Sequence, residues 1–534
     1  MKHNKRLFPI SLLVFGLLLA AEIRLGAGMA QLDMLPEHYF SMFLAAMGAA
    51  TLLVTGLLFF RRKKAGLFRQ LLGWLLAVAL SLGCLIAGEA VTKVNNTISS
   101  VTDIPTISAI VDVYVRAEDP AQTLADTREY TFAVTEVYDR ENTAKALDAL
   151  QEELGGEITT VTYPTVFAMI DALYAGEADA LLLNSAFLDI LSELEAYAGF
   201  QEAARSIFSC TITETPPQTE PTEPSAPPET VPTTSPETVP GTEPGNRETQ
   251  APTVPQTQPA VPENPPFLVY LSGSDTRSKL LTTSRNDVNV IAVVNPQTRQ
   301  ILLVNTPRDY YIGNPAGGGA KDKLTHCGIY GIECSIQTLE NLYSADIAYY
   351  AQINFSGFET LIDAIGGVTV YSEVSFITTH GQYPIYAGEN HLNGNQALCF
   401  ARERYSLAGG DNDRGKNHMK LISAFIDKLS AETIISRYAD ILDSLQGMFV
   451  TNMPQSDISR LVKMQLSDMR DWNVLSYAVT GTGGFDIPFS MPGIYAYVTY
   501  PDEQSVAFAS ALISRVLAGE ILTQDDLVRN QPPV

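Results

Sequence analysis

Apolar and polar positions change their period several times along the chain, and each change marks a different kind of structure. Leu7 to Ile23, Tyr39 to Phe60 and Leu71 to Ala87 are nearly unbroken apolar runs. Each approaches the ~20 residues that a helix needs to cross the hydrocarbon of a bilayer, so residues 1–90 read as a membrane region with three transmembrane helices. Lys2, Lys5 and Arg6 precede the first run, and Arg61, Arg62, Lys63 and Lys64 separate the second from the third. Basic flanks stay cytoplasmic, so everything after Ala90 is expected outside the cell membrane. A cleaved leader ending near Gly28-Met29-Ala30 leaves that side unchanged, because the two remaining helices still end outside.

Beyond the runs, short β-branched stretches alternate with helical ones. Within 105–208, Ile107–Val115 and Thr131–Val137 predict strands, Thr143–Leu154 and Pro164–Gly176 predict amphipathic helices, and Ala178–Leu183 predicts a buried strand. These elements make a small α/β accessory domain. Its stretch Ile170 to Ala180 resembles the helix-to-strand step in half-domains of periplasmic solute-binding proteins, and ligand binding, spacing and docking all remain open as its role.

Residues 209–266 lose all periodicity. Pro216 to Pro266 holds 16 of the 31 prolines among Thr, Glu and Ser, with Arg247 as its one basic residue. So little apolar surface does not offset the entropy of ordering, and a disordered linker is expected. At about 3.1 Å per residue, fifty such residues reach on the order of 150 Å. That length suits reach into a thick wall as well as a passive interdomain connection.

Regular patterning returns over 267–519. Phe267–Leu271, Asp287–Val294 and Gln300–Asn305 predict strands, the first followed by the turn Ser272-Gly273-Ser274-Asp275 and the third by Pro307-Arg308-Asp309. Ile347–Ile353 and Val368–Tyr371 predict two more, separated by a helix Phe355–Ile365 that Gly366-Gly367 closes. The fold class is therefore α/β, with a central sheet flanked by helices, and residues 520–534 read as a tail.

Composition narrows the function. The formal charge of -24 argues against a nucleic-acid binder, which needs a basic surface. Five cysteines and six histidines without CxxC or HExxH spacing argue against zinc sites and disulfide scaffolds. Cys84 falls in an apolar run and reads as a plain membrane residue.

Candidate chemistry gathers at strand exits and one helix start. Arg402 and Arg404 share a face if the chain is extended there and diverge by about 200 degrees if it is helical. Asp411 reads as the cap of a following helix whose Leu421, Ile422, Phe425, Ile426 and Leu429 fall at core spacing. Arg414 and His418, four apart, share a face of that helix near its positive end, which suits an anion. Taken singly, each guanidinium reads as a surface ion pair.

What groups them is a resemblance. Gly273-Ser274-Asp275, Asn286-Asp287, Thr306-Pro307-Arg308-Asp309, Lys323-Leu324-Thr325-His326, Asn354-Phe355-Ser356-Gly357-Phe358, Ile365-Gly366-Gly367-Val368, Leu392 to Leu398, Arg402-Glu403-Arg404 and Asp411-Asn412-Asp413-Arg414 resemble, in order, the LytR-CpsA-Psr family of cell-wall glycopolymer ligases. The resemblance implies a membrane-anchored phosphotransferase. Its donor would be an undecaprenyl pyrophosphate-linked glycan, whether teichoic acid, capsular or another wall polysaccharide, and its acceptor peptidoglycan. It further implies Mg2+ near the carboxylates Asp275 and Asp287, a phosphate clamp of Arg308, Arg402, Arg404 and Arg414 with Lys323 as a further charge, and Asp309 and Asp411 orienting arginines. A polyprenyl tail needs an apolar tunnel; Tyr349, Phe355 and Phe358 individually read as core instead.

The chain departs from the family around Asp287, where Asn286 and Val288 replace the usual Ser and Thr, and at His418, where Gln is common. His418 is expected to donate to phosphate with a contribution that varies with pH near neutrality. Cys327, Cys334 and Cys399 lie outside by the topology, so a Cys334–Cys399 disulfide is allowed, with unpaired buried thiols as the alternative. A polyprenyl-pyrophosphate pyrophosphatase uses the same clamp with water as nucleophile, and a non-catalytic envelope sensor or scaffold is the reading from another class.

Overall fold

In a computed structural model, residues 4–60, 66–102, 107–135, 137–214, 264–277, 281–428, 441, 444–445 and 447–528 are described. Lys2, the basic loop Arg61 to Lys64, most of the proline-rich linker, Leu429 and the last residues of the tail lie outside the described residues.

The apolar runs form α1 (Asn4–Leu32), α2 (Glu37–Phe59) and α3 (Gly66–Thr102). All three are long and apolar enough to cross a membrane. They form one bundle around Leu18, Val54, Leu58 and Ala77. Polar pairs also tie them: Trp74 donates to Ser11 at 2.9 Å, and Arg24 pairs with Glu89 at 2.8 Å. Helix α1 runs unbroken through Gly28-Met29-Ala30.

The first unit is a five-stranded sheet of β1 (Ile107–Arg116), β2 (Thr131–Val134), β3 (Thr159–Thr162), β4 (Ala180–Asn184) and β5 (Ala204–Glu214), ordered β3-β2-β4-β1-β5. Alternation sorts its two faces. Val111, Val113 and Val115 pack with Leu150 of α4 (Arg140–Leu154), while Tyr114 joins Ile170 of α5 (Val166–Ala175) on the opposite side. A short α6 (Leu188–Glu193) follows β4. Sequence pattern missed β3, whose residues are all exposed and so do not alternate, and β5, which runs past the expected end of the unit at 208.

The second unit has a six-stranded sheet: β6 (Phe267–Ser274), β7 (Asn286–Asn295), β8 (Gln300–Asn305), β9 (Tyr349–Asn354), β10 (Phe449–Thr451) and β11 (Asn473–Ala478), ordered β10-β9-β6-β7-β8-β11. Leu268, Tyr270, Leu302 and Val304 face α7 (Ile332–Tyr343). The same cluster takes in Leu512 of the late helix Glu503–Leu517. Val269, Val290 and Leu303 face the other way, against Met419 of the helix Asp411–Lys428. Leu522 and Leu527 are buried in the first of these clusters, so residues read as a tail belong to the core.

Strand β6 extends through the expected turn, and its pairing with β7 slips between Gly273 and Ser274, where Val288 and then Asn286 are opposite. Asp287 is the extra residue, and such a bulge re-aims a side chain. The crossing is tight: a Cβ on Gly273 would lie 2.6 Å from the Val288 side chain.

The two units touch despite the linker between them. Thr283 donates to the Ser108 carbonyl at 3.0 Å, and Ile329, Met491 and Ala496 of the second unit are buried in one cluster with Ile190 and Leu191 of α6. The two units are therefore in direct contact.

Candidate functional site

The ends of β6, β7, β8 and β9 meet at one edge of the second sheet, where β6 and β9 run parallel and β7 opposes them. Asp275 leaves β6, Asp287 bulges from β7, and Arg308 follows β8 through Pro307. From the other side come α8 (Phe355–Ala364), α9 (Gly394–Arg402) and α10 (Asp411–Lys428). Asn354 caps α8 by accepting from the Gly357 N–H at 2.8 Å, which brings Phe355 to the same edge.

Helix α9 stops at Arg402, and the chain turns extended at Glu403. That resolves the open geometry of the arginine pair, since Arg402 and Arg404 both line one cavity. Arg402 lies over the Phe355 ring at 4.7 Å and Arg404 over Tyr405 at 4.6 Å. Among the described residues neither has a carboxylate in ion-pair contact, which leaves both charges available to an anion.

Arg308 is buried and bonded to Asp287, with Asp309 at 3.6 Å from its Nε. Burial would raise the Asp287 carboxyl, but the guanidiniums of Arg308, Arg414 and Arg285 outweigh it and hold the group well below the usual range. Asp275 behaves oppositely. Burial and the adjacent Asp287 charge push it up to about 6, against the pull of Arg285 at 2.9 Å. Two crowded carboxylates, one left hard to ionise, are relieved by a divalent cation, and Mg2+ commonly takes two carboxylates and completes its shell with substrate phosphate and water. Among the described residues no group of three or more His, Cys, Asp or Glu is arranged for a metal, so the pair fits Mg2+ only together with such outside oxygens.

Four expectations need correction. Asp411 is the first residue of α10 and its carboxylate pairs with Arg414, so it orients that arginine instead of capping the helix. Lys323 does not line the cavity but pairs with Asp309 at 3.7 Å, and Asp309 in turn lies 3.6 Å from the Arg308 Nε. Phe355 and Phe358 line the cavity, whereas Tyr349 stays in the core against Phe267. Cys334 and Cys399 are free thiols: Cys334 bonds Asn314 at 3.2 Å beside Cys327, and Cys399 faces Asn395.

His418 lines the cavity near Arg414, but its Nε2 donates to the Ala401 carbonyl at 2.9 Å. Burial and the Arg414 charge hold its pKa down at about 3, from the ordinary 6.5. It is neutral near neutrality, contrary to the expected pH-dependent donor. A depressed pKa means that His418 leaves stability untouched above pH 6.5 and erodes it as pH falls from there toward about 3. His418→Gln is therefore expected to flatten the fall of Tm over that window and leave the melting curve above it parallel to wild type; an unchanged acid slope counts against it.

Sequence reading missed Arg285, which lines the cavity and bonds Asp275, and Glu193 of α6, which lines it from the first unit. Arg285 directly precedes Asn286-Asp287, a position with no signal of its own. Glu193 is 92 residues from Arg285 and becomes its partner only through docking.

The cavity holds about 680 Å³. Past the charged residues it is walled by Ile353, Phe358, Leu421, Phe425, Phe449 and Val462. Val462 belongs to the helix Gln455–Asp468, which is tied to the ends of the apolar helices α1 and α3. There Ser459 donates to the Leu32 carbonyl at 3.0 Å, Lys463 pairs with Asp33 at 3.0 Å, and Gln455 donates to Asn95 at 2.7 Å. One space thus joins cationic residues to an apolar lining, and one wall of it adjoins the apolar helices α1 and α3.

The model of the LytR_cpsA_psr family matches residues 239–503. A protein of Enterococcus faecalis named polyisoprenyl-teichoic acid–peptidoglycan teichoic acid transferase TagU is 32% identical over 198 residues, 37% of this chain and 64% of that protein. A protein of the same name from Bacillus mycoides is 31% identical over 204 residues, 38% and 66% of the two chains. The chain thus spans just under two thirds of the curated relatives it matches. Among solved structures, Bacillus subtilis TagV is 21% identical with a TM-score of 0.41, over 49% of this chain and all of that one. A structure of TagT bound to LI-WTA is 24% identical with a TM-score of 0.38, over 51% and 95%.

Proposed function

Because the chain belongs to the LytR_cpsA_psr family through residues 239–503, we propose that it is a membrane-anchored phosphotransferase with its two α/β units outside the cell membrane. It moves a glycan-1-phosphate, of the teichoic acid class that the TagU relatives' name states, from undecaprenyl pyrophosphate to peptidoglycan. The observation that carries this reading is that the guanidiniums and an apolar lining share one cavity. A pyrophosphate ester of a long polyprenol has that same division, anionic at one end and apolar along the rest.

Arg308, Arg402, Arg404 and Arg414 bind phosphate oxygens, Arg308 and Arg414 being held in place by Asp287 and Asp411. The apolar part of the cavity, a tube in this reading, takes the polyprenyl chain and excludes water behind the pyrophosphate. A sugar hydroxyl of the acceptor attacks the sugar-bearing phosphorus, and polyprenyl phosphate leaves in line, a reaction in which positioning and charge neutralisation do most of the catalysis. Asp275 and Asp287 would hold Mg2+, which when bound supplies positive charge at the pyrophosphate.

The test uses the full chain in detergent with Mg2+, an undecaprenyl pyrophosphate-linked oligosaccharide and peptidoglycan oligomers, read by mass. Expected is an acceptor heavier by the glycan phosphate, with polyprenyl phosphate released in equal amount. Release without transfer makes the protein a pyrophosphatase, and no turnover with any glycan returns it to a sensor or scaffold.

A further inference from the structure

Helix α6 of the first unit lies against the cationic pocket of the second. Glu193, its last residue, pairs with Arg285 and lies 3.6 Å from Arg308. Asp189, one turn earlier, is 3.8 Å from the Arg285 Nε. The helix is seated by packing, with Ile190 and Leu191 buried in the interface cluster and Phe187 edge-on to Tyr330 at 6.3 Å. The Glu193 side chain keeps 38% of its surface open to water while the Arg285 side chain keeps 9%, so the acid is the exposed member of the pair and the one able to leave.

A carboxylate on two guanidiniums makes the same charge-assisted, forked contacts that a phosphate makes. Glu193 also lines the cavity in which those guanidiniums stand. Both anions cannot hold Arg285 and Arg308 at once without two like charges meeting in a poorly solvated space.

We infer that Glu193 is a tethered competitor of the donor's pyrophosphate. It covers Arg285 and Arg308 when the pocket is empty and leaves them when the donor binds, so that the accessory unit sets donor affinity. This inference rests on the phosphate-clamp reading above. Displacement releases the helix end at Glu193 from the pocket, while Ile190 and Leu191 keep the unit docked. Glu193→Gln retains the size of the side chain and removes the competing charge.

Inorganic pyrophosphate is titrated calorimetrically into the full chain in detergent without added Mg2+, for wild type, Glu193→Gln and Glu195→Gln. Glu195 is exposed, and its substitution removes the same charge two residues away. Expected is binding about tenfold tighter in Glu193→Gln, the scale of one charge-assisted contact, with Glu195→Gln like wild type. Amide exchange in α6 of the wild type should quicken on saturation with pyrophosphate. Equal affinity of wild type and Glu193→Gln overturns the inference alone, as does an equal gain from Glu195→Gln or slower exchange in α6. Absence of pyrophosphate binding in every variant overturns the clamp reading, and the inference with it.

Discussion

Arg402→Ala lowers glycan transfer by about 100- to 1000-fold, the scale of removing one preorganised charge from a phosphoryl-transfer site, while the protein keeps its fold. Both halves of this expectation follow from the surroundings of Arg402. Its guanidinium stacks on Phe355 at the cavity wall and has no carboxylate in ion-pair contact among the described residues. Truncation therefore strands no buried charge. Arg308 is the contrast, because it is buried and removing it leaves the half-buried Asp287 without its partner, and breaking a buried pair typically costs about 3–5 kcal/mol. Arg402→Lys should recover only part of the rate, since an ammonium keeps the charge but neither the planar fork nor the stacking. The measurement is kcat/KM for transfer beside a melting curve for each variant. A rate within threefold of wild type would remove Arg402 from the clamp.

The second large effect concerns the tube. Ala351 on β9 lines the cavity beside Ile353, and its methyl is among the smallest groups on that wall. Ala351→Trp places an indole in the space assigned to the polyprenyl chain. Transfer from the undecaprenyl donor is expected to fall on the order of 100-fold, as it does when a reacting group is misplaced by an ångström or so. A donor with a two- or three-isoprene chain is expected to react at close to the wild-type rate, because the cationic pocket is untouched. That selectivity separates a blocked tube from a damaged fold, and equal loss with both donors would refute the tube as the lipid site.

Most elements were legible wherever one face of an element is buried and the other is not. Strand β1 and the helices α4 and α5 carry their period openly, whereas β8, buried at every residue, was legible as a short apolar run. Strand β3 was invisible because its exposed threonines have no inside face to mark. Residues 520–528 looked like a tail because two short apolar pairs set no period, yet Leu522 and Leu527 complete a distant core cluster.

The candidate site divides along the same line. Asp275, Asp287, Arg308, Arg402, Arg404 and Arg414 were named from short motifs and His418 from helical spacing, and all seven line one cavity. Their states were beyond reach of the motif: the extended step at Glu403 that lets Arg402 and Arg404 converge, the bulge that aims Asp287, and the burial that keeps His418 neutral.

By itself, then, the sequence determined the order of parts: three apolar helices, two α/β units and a proline-rich connection, with the anion-binding residue types in the second unit. Those features rest on local period and composition, which neighbours along the chain express without any tertiary partner. Only the tertiary structure decided that Phe355 and Phe358 wall a cavity, that Arg285 belongs to the site, and that Glu193 reaches it from another unit. Cavities, buried charges and docked surfaces arise between residues far apart in the chain, and their energetics depend on the water excluded when those residues meet.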